Sequence, residues 1–164
     1  MKSRGLLICL VIGLLMVLCI PHFSLAAMRT MDLYELTNGA DLIVTGTVTN
    51  IESRSEQGIF TFFKIKVKQN IKGAAPQEVI VKVSGGEVNG IGLLVSDMPK
   101  FKLGEEVTVF LKKNGDYYII PGLYQGKYTT INNIIRENNL PLDTFVSQIK
   151  ANMQKPVPVL DLIK

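Results

Sequence analysis

The sequence predicts a β-rich fold, a small closed barrel with a short helix before it and another helix after it. Three long strands follow one another between Asp41 and Val83, each with alternating apolar and polar residues. Gly46 interrupts the first of them, as is usual where a barrel strand bends sharply. A helical pattern after Pro141 ends the chain. A β-sandwich with the same strand order is the alternative, because alternation alone does not exclude it.

Residues 1–26 have the layout of a secretory signal peptide. A basic start, Met1–Arg4, precedes an uncharged and mostly apolar run from Gly5 to Ile20, and small residues precede a cut after Ala26. The apolar run is short for a membrane span, which needs about 20 residues. We therefore expect cleavage near Ala26 and a location outside the cell or at its envelope. A retained signal that anchors the chain is the alternative.

Cleavage would leave one domain over residues 27–155 and an extended tail over residues 156–164. Both cysteines, Cys9 and Cys19, and the only histidine, His22, lie in the predicted signal. Without them the domain has neither Ser-His-Asp nor Cys-His catalysis, nor a His/Cys zinc site. We therefore predict no enzyme, no cofactor and no metal.

The first half of the predicted domain contains a short helix and the three long strands. Thr30 is expected to cap a helix from Met31 to Thr37, which an Asn-Gly pair ends. The strands are predicted at residues 41–53, 59–72 and 78–84. In the first strand the interior face is expected to consist of Leu42, Val44 and Val48. In the second, the inward residues are expected to be Thr61, Phe63, Ile65, Val67 and Ile71, and the outward ones Phe62, Lys64, Lys66, Lys68 and Lys72.

The second half contains a glycine-rich stretch, shorter strands and the last helix. Residues 85–92 are interpreted as a flexible crossover between strands. Further strands are predicted at residues 93–95, 106–112, 117–120 and 125–131, with Asn114 and Gly115 in a tight hairpin turn. From Pro141 onward, the helix is predicted by apolar residues at helical spacing: Leu142, Phe145, Val146, Ile149 and Met153.

Several short motifs carry a resemblance to known families. The run Ala40-Asp41-Leu42-Ile43-Val44-Thr45-Gly46-Thr47-Val48, followed by a strand ending in Ile71-Lys72-Gly73, resembles the opening of netrin-like domains. Those domains, which include tissue inhibitors of metalloproteinases, are OB-type barrels with helices alongside. A family of uncharacterised secreted bacterial and archaeal proteins is similar in the later motifs: Gly85-Gly86, Pro99-x-Phe101-x-x-Gly104-Glu105-Glu106 and Gly122-x-x-Gln125-Gly126-Lys127. The resemblance implies an OB-like or netrin-like closed barrel, and it supports fold rather than activity.

The resemblance does not carry over an inhibitory mechanism. Metalloproteinase inhibitors of that family chelate the protease zinc through an N-terminal cysteine held by disulfides. The predicted mature chain begins near Ala27 and contains no cysteine.

The outward face of the second strand is one candidate binding surface. Phe62 and three lysines, Lys64, Lys66 and Lys68, alternate along it. OB-type barrels bind single-stranded nucleic acid with such basic grooves and stacking aromatic residues. An exported chain whose formal net charge falls from +4 to +2 on cleavage favours an anionic envelope polymer over nucleic acid. Alternating lysines are also the ordinary solvent face of a strand.

The glycine-rich stretch is the other candidate. Gly85, Gly86, Asn89 and Gly90 could form a ligand rim, since binding residues often lie on loops of a rigid barrel. The stretch lacks the Gly-Lys-Ser/Thr ending of a phosphate loop, which argues against nucleotide binding.

The sequence therefore predicts a secreted, non-catalytic binding module that recognises a protein or an anionic envelope polymer. The alternative is an inhibitor of a secreted hydrolase that acts without the cysteine-zinc mechanism. A carboxylate enzyme is least favoured, because the adjacent Glu105 and Glu106 lie at a strand entry, where we expect them to be solvated and to point opposite ways. A membrane contact is expected only through an uncleaved signal, and the sequence does not indicate an oligomeric state.

Overall fold

The computed structural model describes residues 29–156, which form a β-rich fold with two helices. The predicted signal and residues 157–164 of the predicted tail lie outside the described residues. The helices are α1 (Leu33–Gly39) and α2 (Leu142–Gln154). The strands are β1 (Leu42–Ser55), β2 (Ile59–Lys72), β3 (Glu78–Ser84), β4 (Gly86–Val88), β5 (Ile91–Leu93), β6 (Glu106–Asn114), β7 (Tyr117–Ile119), β8 (Lys127–Ile131), β9 (Ile134–Ile135) and β10 (Leu140–Pro141).

Eight of the strands form one sheet in the order β1-β2-β3-β7-β6-β8-β9-β10. In addition, β1 pairs antiparallel with β6 from Leu42 to Thr47. The pairings from β1 therefore pass through β2, β3, β7 and β6 and return to β1. The β3–β7 pairing, with Val81 opposite Tyr118, is parallel, whereas the other described pairings are antiparallel. A separate two-stranded sheet consists of β4 and β5.

Apolar side chains fill the two faces of β1. Leu42 and Val44 belong to a core between the strands, together with Ile65, Val81 and Val109. Ile43 points the other way into a second core, where α1 and α2 contribute Leu36, Phe145 and Ile149. The prediction for the inner face is confirmed, and the opposite face is also apolar at this end. The two helices cover it, and each large apolar side chain buried there contributes about 1.5–3 kcal/mol.

α1 begins two residues later than predicted, because Asp32 rather than Thr30 caps it. The Asp32 carboxylate accepts a hydrogen bond from the Glu35 N–H at 2.7 Å, and Glu35 accepts one from the Asp32 N–H at 3.3 Å. This reciprocal pair is a capping box. At the other end, the Lys72 ammonium donates to the carbonyls of Thr37 at 2.7 Å and Ala40 at 2.6 Å. Lys72 thus ties the C-terminus of α1 to the end of β2.

Gly46 allows β1 and β2 to approach closely. A Cβ atom at this position would lie 2.4 Å from the Lys66 carbonyl oxygen, and the pairing register shifts between Thr45 and Gly46. The predicted irregularity at Gly46 is therefore confirmed. The position requires glycine because a side chain would collide with the neighbouring backbone.

The glycine-rich stretch is not the flexible crossover that the sequence predicts. It forms the hairpin β4–β5, with Asn89 at φ 52° and Gly90 at φ 77° in the turn. Two consecutive positive φ values make a hairpin turn that matches the twist of paired strands. The strand predicted at residues 93–95 is consequently wrong, because the paired residues are Ile91–Leu93.

The C-terminal half keeps most of its predicted elements. α2 begins directly after Pro141 and buries Phe145, Val146 and Ile149, as predicted. The last predicted strand starts only at Lys127, because residues 123–126 form a 3-10 turn. The short pair β9–β10 before α2 was not predicted.

Candidate functional site

An apolar cleft of about 680 Å³ lies at one end of the sheet. One wall is the inner face of β1, β2 and β3, and the other is the hairpin β4–β5 with the segment that follows it. The first wall consists of Ile51, Ser53, Thr61, Phe63 and Val83, and the second includes Leu93, Leu94, Val95, Met98 and Phe101. The volume is within the range of small-molecule and side-chain binding pockets.

The cleft exists because β1 extends beyond its neighbour β6, and β3 extends beyond its neighbour β7. β6 pairs with β1 only as far as Thr47, whereas β1 continues to Ser55. β7 pairs with β3 at a single position, Val81. The far ends of β1, β2 and β3 therefore present an inner face that β6 and β7 do not reach, and the β4–β5 hairpin stands opposite it. Phe101 contacts Phe63 there, with ring centroids 4.5 Å apart.

Gly85 and Gly86 anchor the hairpin against the sheet. The Gly85 N–H donates to the Ile59 carbonyl, and the Gly85 carbonyl accepts from the Thr61 hydroxyl at 2.7 Å. A Cβ atom at Gly86 would lie 2.3 Å from the Thr61 Oγ1 and 2.6 Å from the Ser53 Oγ. Both glycines line the cleft as predicted for a ligand rim, but their role is to let the backbone approach the sheet.

Asn89 and Gly90, the other two residues of the predicted rim, do not line the cleft. They form the exposed turn of the hairpin, and no atom lies within 4 Å of a Cβ built at Gly90. The hairpin holds its turn away from the sheet because its base, and not its tip, is bonded to β2.

Exposed apolar side chains border the cleft. Leu94 is 88% exposed, Ile91 68% and Leu93 44%. Such residues are unremarkable singly, but a contiguous group beside a pocket is typical of binding sites. The apolar run Ile91-Gly92-Leu93-Leu94-Val95 directly after the Asn-Gly turn is the signal by which the sequence could have indicated this rim.

The lysine face is largely neutralised by acidic side chains. The Lys64 ammonium lies 3.7 Å from a Glu78 carboxylate oxygen, and Lys68 pairs with Glu106. Lys66 has no ion pair within residues 29–156. The predicted stripe of three free cations is therefore one free cation between two ion pairs.

Phe62 is buried, not exposed as predicted. Only 4% of it is accessible, because the Tyr117 ring lies 5.0 Å away and the charged groups of Arg54 and Lys82 lie 4.8 Å and 5.4 Å from its centroid. These contacts are cation–π and aromatic packing. The ring is occupied by its own neighbours and presents no free surface for stacking.

Glu105 is partly buried, although the sequence predicts a solvated strand entry. Lys127 donates to its carboxylate at 2.8 Å, the Lys102 N–H at 3.0 Å and the Thr129 hydroxyl at 3.2 Å. Burial raises the pKa of this carboxyl, but the hydrogen bonds from Lys127, Lys102 and Thr129 outweigh it and hold the pKa below its ordinary value. Glu106 pairs with Lys68 instead, so the two adjacent carboxylates bind different cations.

Residues 29–156 contain no group of three or more His, Cys, Asp or Glu side chains placed to hold a metal ion. In the same range, no helix has the length and apolar character needed to cross a membrane. Comparison with known proteins finds no matching family model and no matching curated sequence.

Proposed function

We propose that the protein is a non-catalytic binding module that takes an apolar segment of a protein partner into the cleft between the sheet and the β4–β5 hairpin. The observation that carries this proposal is the cleft of about 680 Å³ with exposed Leu93 and Leu94 at its border. The predicted signal peptide supports a partner outside the cell or at its envelope.

The strand pairings support an OB-like or netrin-like closed barrel as the scaffold of this module. An OB barrel has five strands in a Greek-key arrangement. The sequence of pairings from β1 through β2, β3, β7 and β6 back to β1 has five members and one parallel pair, and both helices pack on the outer side. Such a scaffold would hold both walls of the cleft in fixed positions.

A protein partner is favoured over an anionic polymer by the charges of the lysine face. A polymer would compete with Glu78 for Lys64 and with Glu106 for Lys68, which leaves Lys66 as its unopposed contact. The cleft has no comparable competitor within the described residues, and its walls are mostly apolar.

The test is a titration of the full chain with a fluorescent dye that emits in apolar surroundings, together with selection of binders from a library of random short peptides. We expect saturable binding, with an affinity that falls by about tenfold or more in the Leu93→Asp/Leu94→Asp variant. The reason is that each leucine contributes up to about 1.5–3 kcal/mol when a ligand buries it. Both leucines are exposed, so the variant is expected to remain folded.

The control is Ile131→Asp, which places one aspartate on an exposed apolar residue away from the cleft. It is expected to leave binding unchanged. Binding that survives Leu93→Asp/Leu94→Asp but disappears at high salt and in Lys64→Ala/Lys66→Ala/Lys68→Ala would overturn the proposal and assign the lysine face to a polymer.

A further inference from the structure

β1 has a free edge that begins where β6 ends. Val48 is its last bonded residue on that side, with its N–H donating to the Glu105 carbonyl at 2.9 Å and its carbonyl accepting from the Gly104 N–H at 2.8 Å. Beyond Val48, β1 continues to Ser55 and pairs only with β2 among the described strands. Within residues 29–156, no strand pairs with the other edge of this segment.

The direction of the backbone groups in this segment follows from β2. The Ile59 carbonyl accepts from Gly85 and the Val67 N–H donates to Gln77, so odd-numbered residues of β2 direct their backbone groups toward β3. Backbone groups alternate in direction along a strand. Even-numbered residues of β2 therefore direct theirs toward β1.

The partners of those even-numbered residues in β1 are Asn50, Glu52 and Arg54. Their N–H and C=O groups are used in the β1–β2 ladder. By alternation, the backbone groups of Ile51 and Ser53 point to the free edge, where they have no hydrogen-bond partner in residues 29–156.

The side chains of the same two residues line the cleft. A strand placed beside the free edge would pair with Ile51 and Ser53 through its backbone. Its side chains opposite them would lie on the same face of the sheet and would enter the cleft. The free edge and the apolar cleft are thus two parts of one surface.

The charges beside this surface specify the partner further. Lys100 lines the cleft, and Lys102 is exposed on the segment that leads to the start of the free edge. Neither forms an ion pair within the part of the chain that the structure describes. Glu87 is the one acidic residue among those that line the cleft. These two cations without an ion pair among residues 29–156 favour an acidic residue on the partner beside them.

We propose that the partner binds as an added β-strand on the free edge of β1, with alternate apolar side chains in the cleft and an acidic residue beside Lys100 and Lys102. This inference rests on the proposed function, since it specifies how that cleft is occupied. Strand addition obtains affinity from main-chain hydrogen bonds and specificity from the pockets for alternate side chains.

The probe is a synthetic peptide of alternating valine and threonine that carries an aspartate at one end. When the peptide binds to the full chain, the amide protons of Ile51 and Ser53 should exchange with solvent at least about tenfold more slowly, because each gains a hydrogen bond. Methylation of alternate peptide nitrogens should weaken binding by about tenfold in one register and have little effect in the other. A peptide with lysine in place of the aspartate should also bind more weakly, because its charge would be repelled by Lys100 and Lys102.

The matched protein variants are Ile51→Ala and Ile51→Pro. Both remove the isoleucine side chain, but only proline removes the N–H at the free edge, a position where a sheet tolerates proline. Strand addition predicts a further loss of affinity of about tenfold from alanine to proline. If Ile51→Pro does not fold, the methylated peptides still decide the question.

The two proposals fail differently. Equal affinity for Ile51→Ala and Ile51→Pro, no register effect of methylation and unchanged exchange at Ile51 and Ser53 would overturn strand addition. The proposal that the cleft binds an apolar segment would still be supported if dye binding is lost in Leu93→Asp/Leu94→Asp. If the Leu93→Asp/Leu94→Asp variant binds the dye and the peptide with native affinity, both proposals are overturned.

Discussion

The Lys72-Gly73 motif at the end of β2 acts in the folding of the chain. Lys72 donates to the last carbonyls of α1, and burial lowers its pKa, an effect that Asp41 opposes. Gly73 has φ 76°, and a Cβ atom there would lie 2.5 Å from the Asp41 carbonyl oxygen. The motif therefore joins the helix to the end of β2. It is a determinant of the fold, and neither residue lines the cleft.

Glu105 should make the stability of the protein depend on pH in the acid range. Its pKa is lower in the folded chain than in the unfolded chain, so its contribution is complete above the unfolded value of about 4.3 and is lost as the pH falls through the folded value. We expect the free energy of unfolding, measured with urea from neutral pH to pH ~3, to fall less steeply in Glu105→Gln than in the native chain.

The control for this pH dependence is Glu106→Gln, which removes the neighbouring carboxylate from an exposed ion pair. Exposed pairs contribute about 0–1 kcal/mol, so this variant should follow the native curve. Identical curves for the native chain and Glu105→Gln would show that the Lys127 pair does not stabilise the fold.

At the scale of elements, the hairpin β4–β5 shows what local sequence determines and what it does not. Asn89 and Gly90 are a strong hairpin signal, and their turn could have been predicted from the sequence alone. That the base of the hairpin packs on Thr61 depends on contacts between residues far apart in the chain. The burial of Phe62 has the same origin, because the covering Tyr117 comes from β7, which reaches β3 through a parallel pairing.

The close approach of Gly86 to the sheet predicts the effect of adding a single methyl group. Gly86→Ala would place a Cβ atom 2.3 Å from the Thr61 Oγ1, at a φ of 131° that only glycine adopts readily. We expect the hairpin to shift, the free energy of unfolding to fall by about 1–3 kcal/mol, and the affinity for the apolar dye to fall with it.

Gly92→Ala is the matched control in the same hairpin. Its nearest neighbour, the Gly86 carbonyl oxygen, lies 4.0 Å from the added Cβ, so the substitution fits without a shift. The free energy of unfolding should remain at the native level, and because Gly92 also lines the cleft, stability is the quantity that this control compares. A Gly86→Ala variant with native stability and native dye affinity would contradict the anchoring role of Gly86.

The described residues form two parts. In one, both faces of β1 are covered by apolar cores, and in the other its inner face opens onto the cleft. The periodicity of the sequence was sufficient to predict β1, β2, β3 and α2, since each has one strongly apolar face. It was not sufficient to predict the cleft, which results from the unequal lengths of strands that pair across the chain. It also did not indicate that Ile43 contacts two helices, because a short apolar run looks the same whether one or both faces are buried.

This division predicts a gradient of amide hydrogen exchange along β1. Amides of residues 42–48 lie between two cores and two neighbouring strands, so they should exchange only on global unfolding. The amides of Ile51 and Ser53 should exchange rapidly in the free chain. Exchange of the free chain followed by NMR tests this, and uniform protection from Leu42 to Ser55 would contradict both the gradient and the free edge.

The unequal environment of β1 also bears on how the chain can change over evolutionary time. Up to Val48 every side chain of the strand has to satisfy packing on one face or the other, whereas beyond it the outward side chains of residues 49–55 are mostly solvated. Substitutions should therefore be tolerated at very different frequencies in the two halves. One continuous strand would then contain a slowly diverging segment that maintains the fold and a rapidly diverging one that can adapt to a partner.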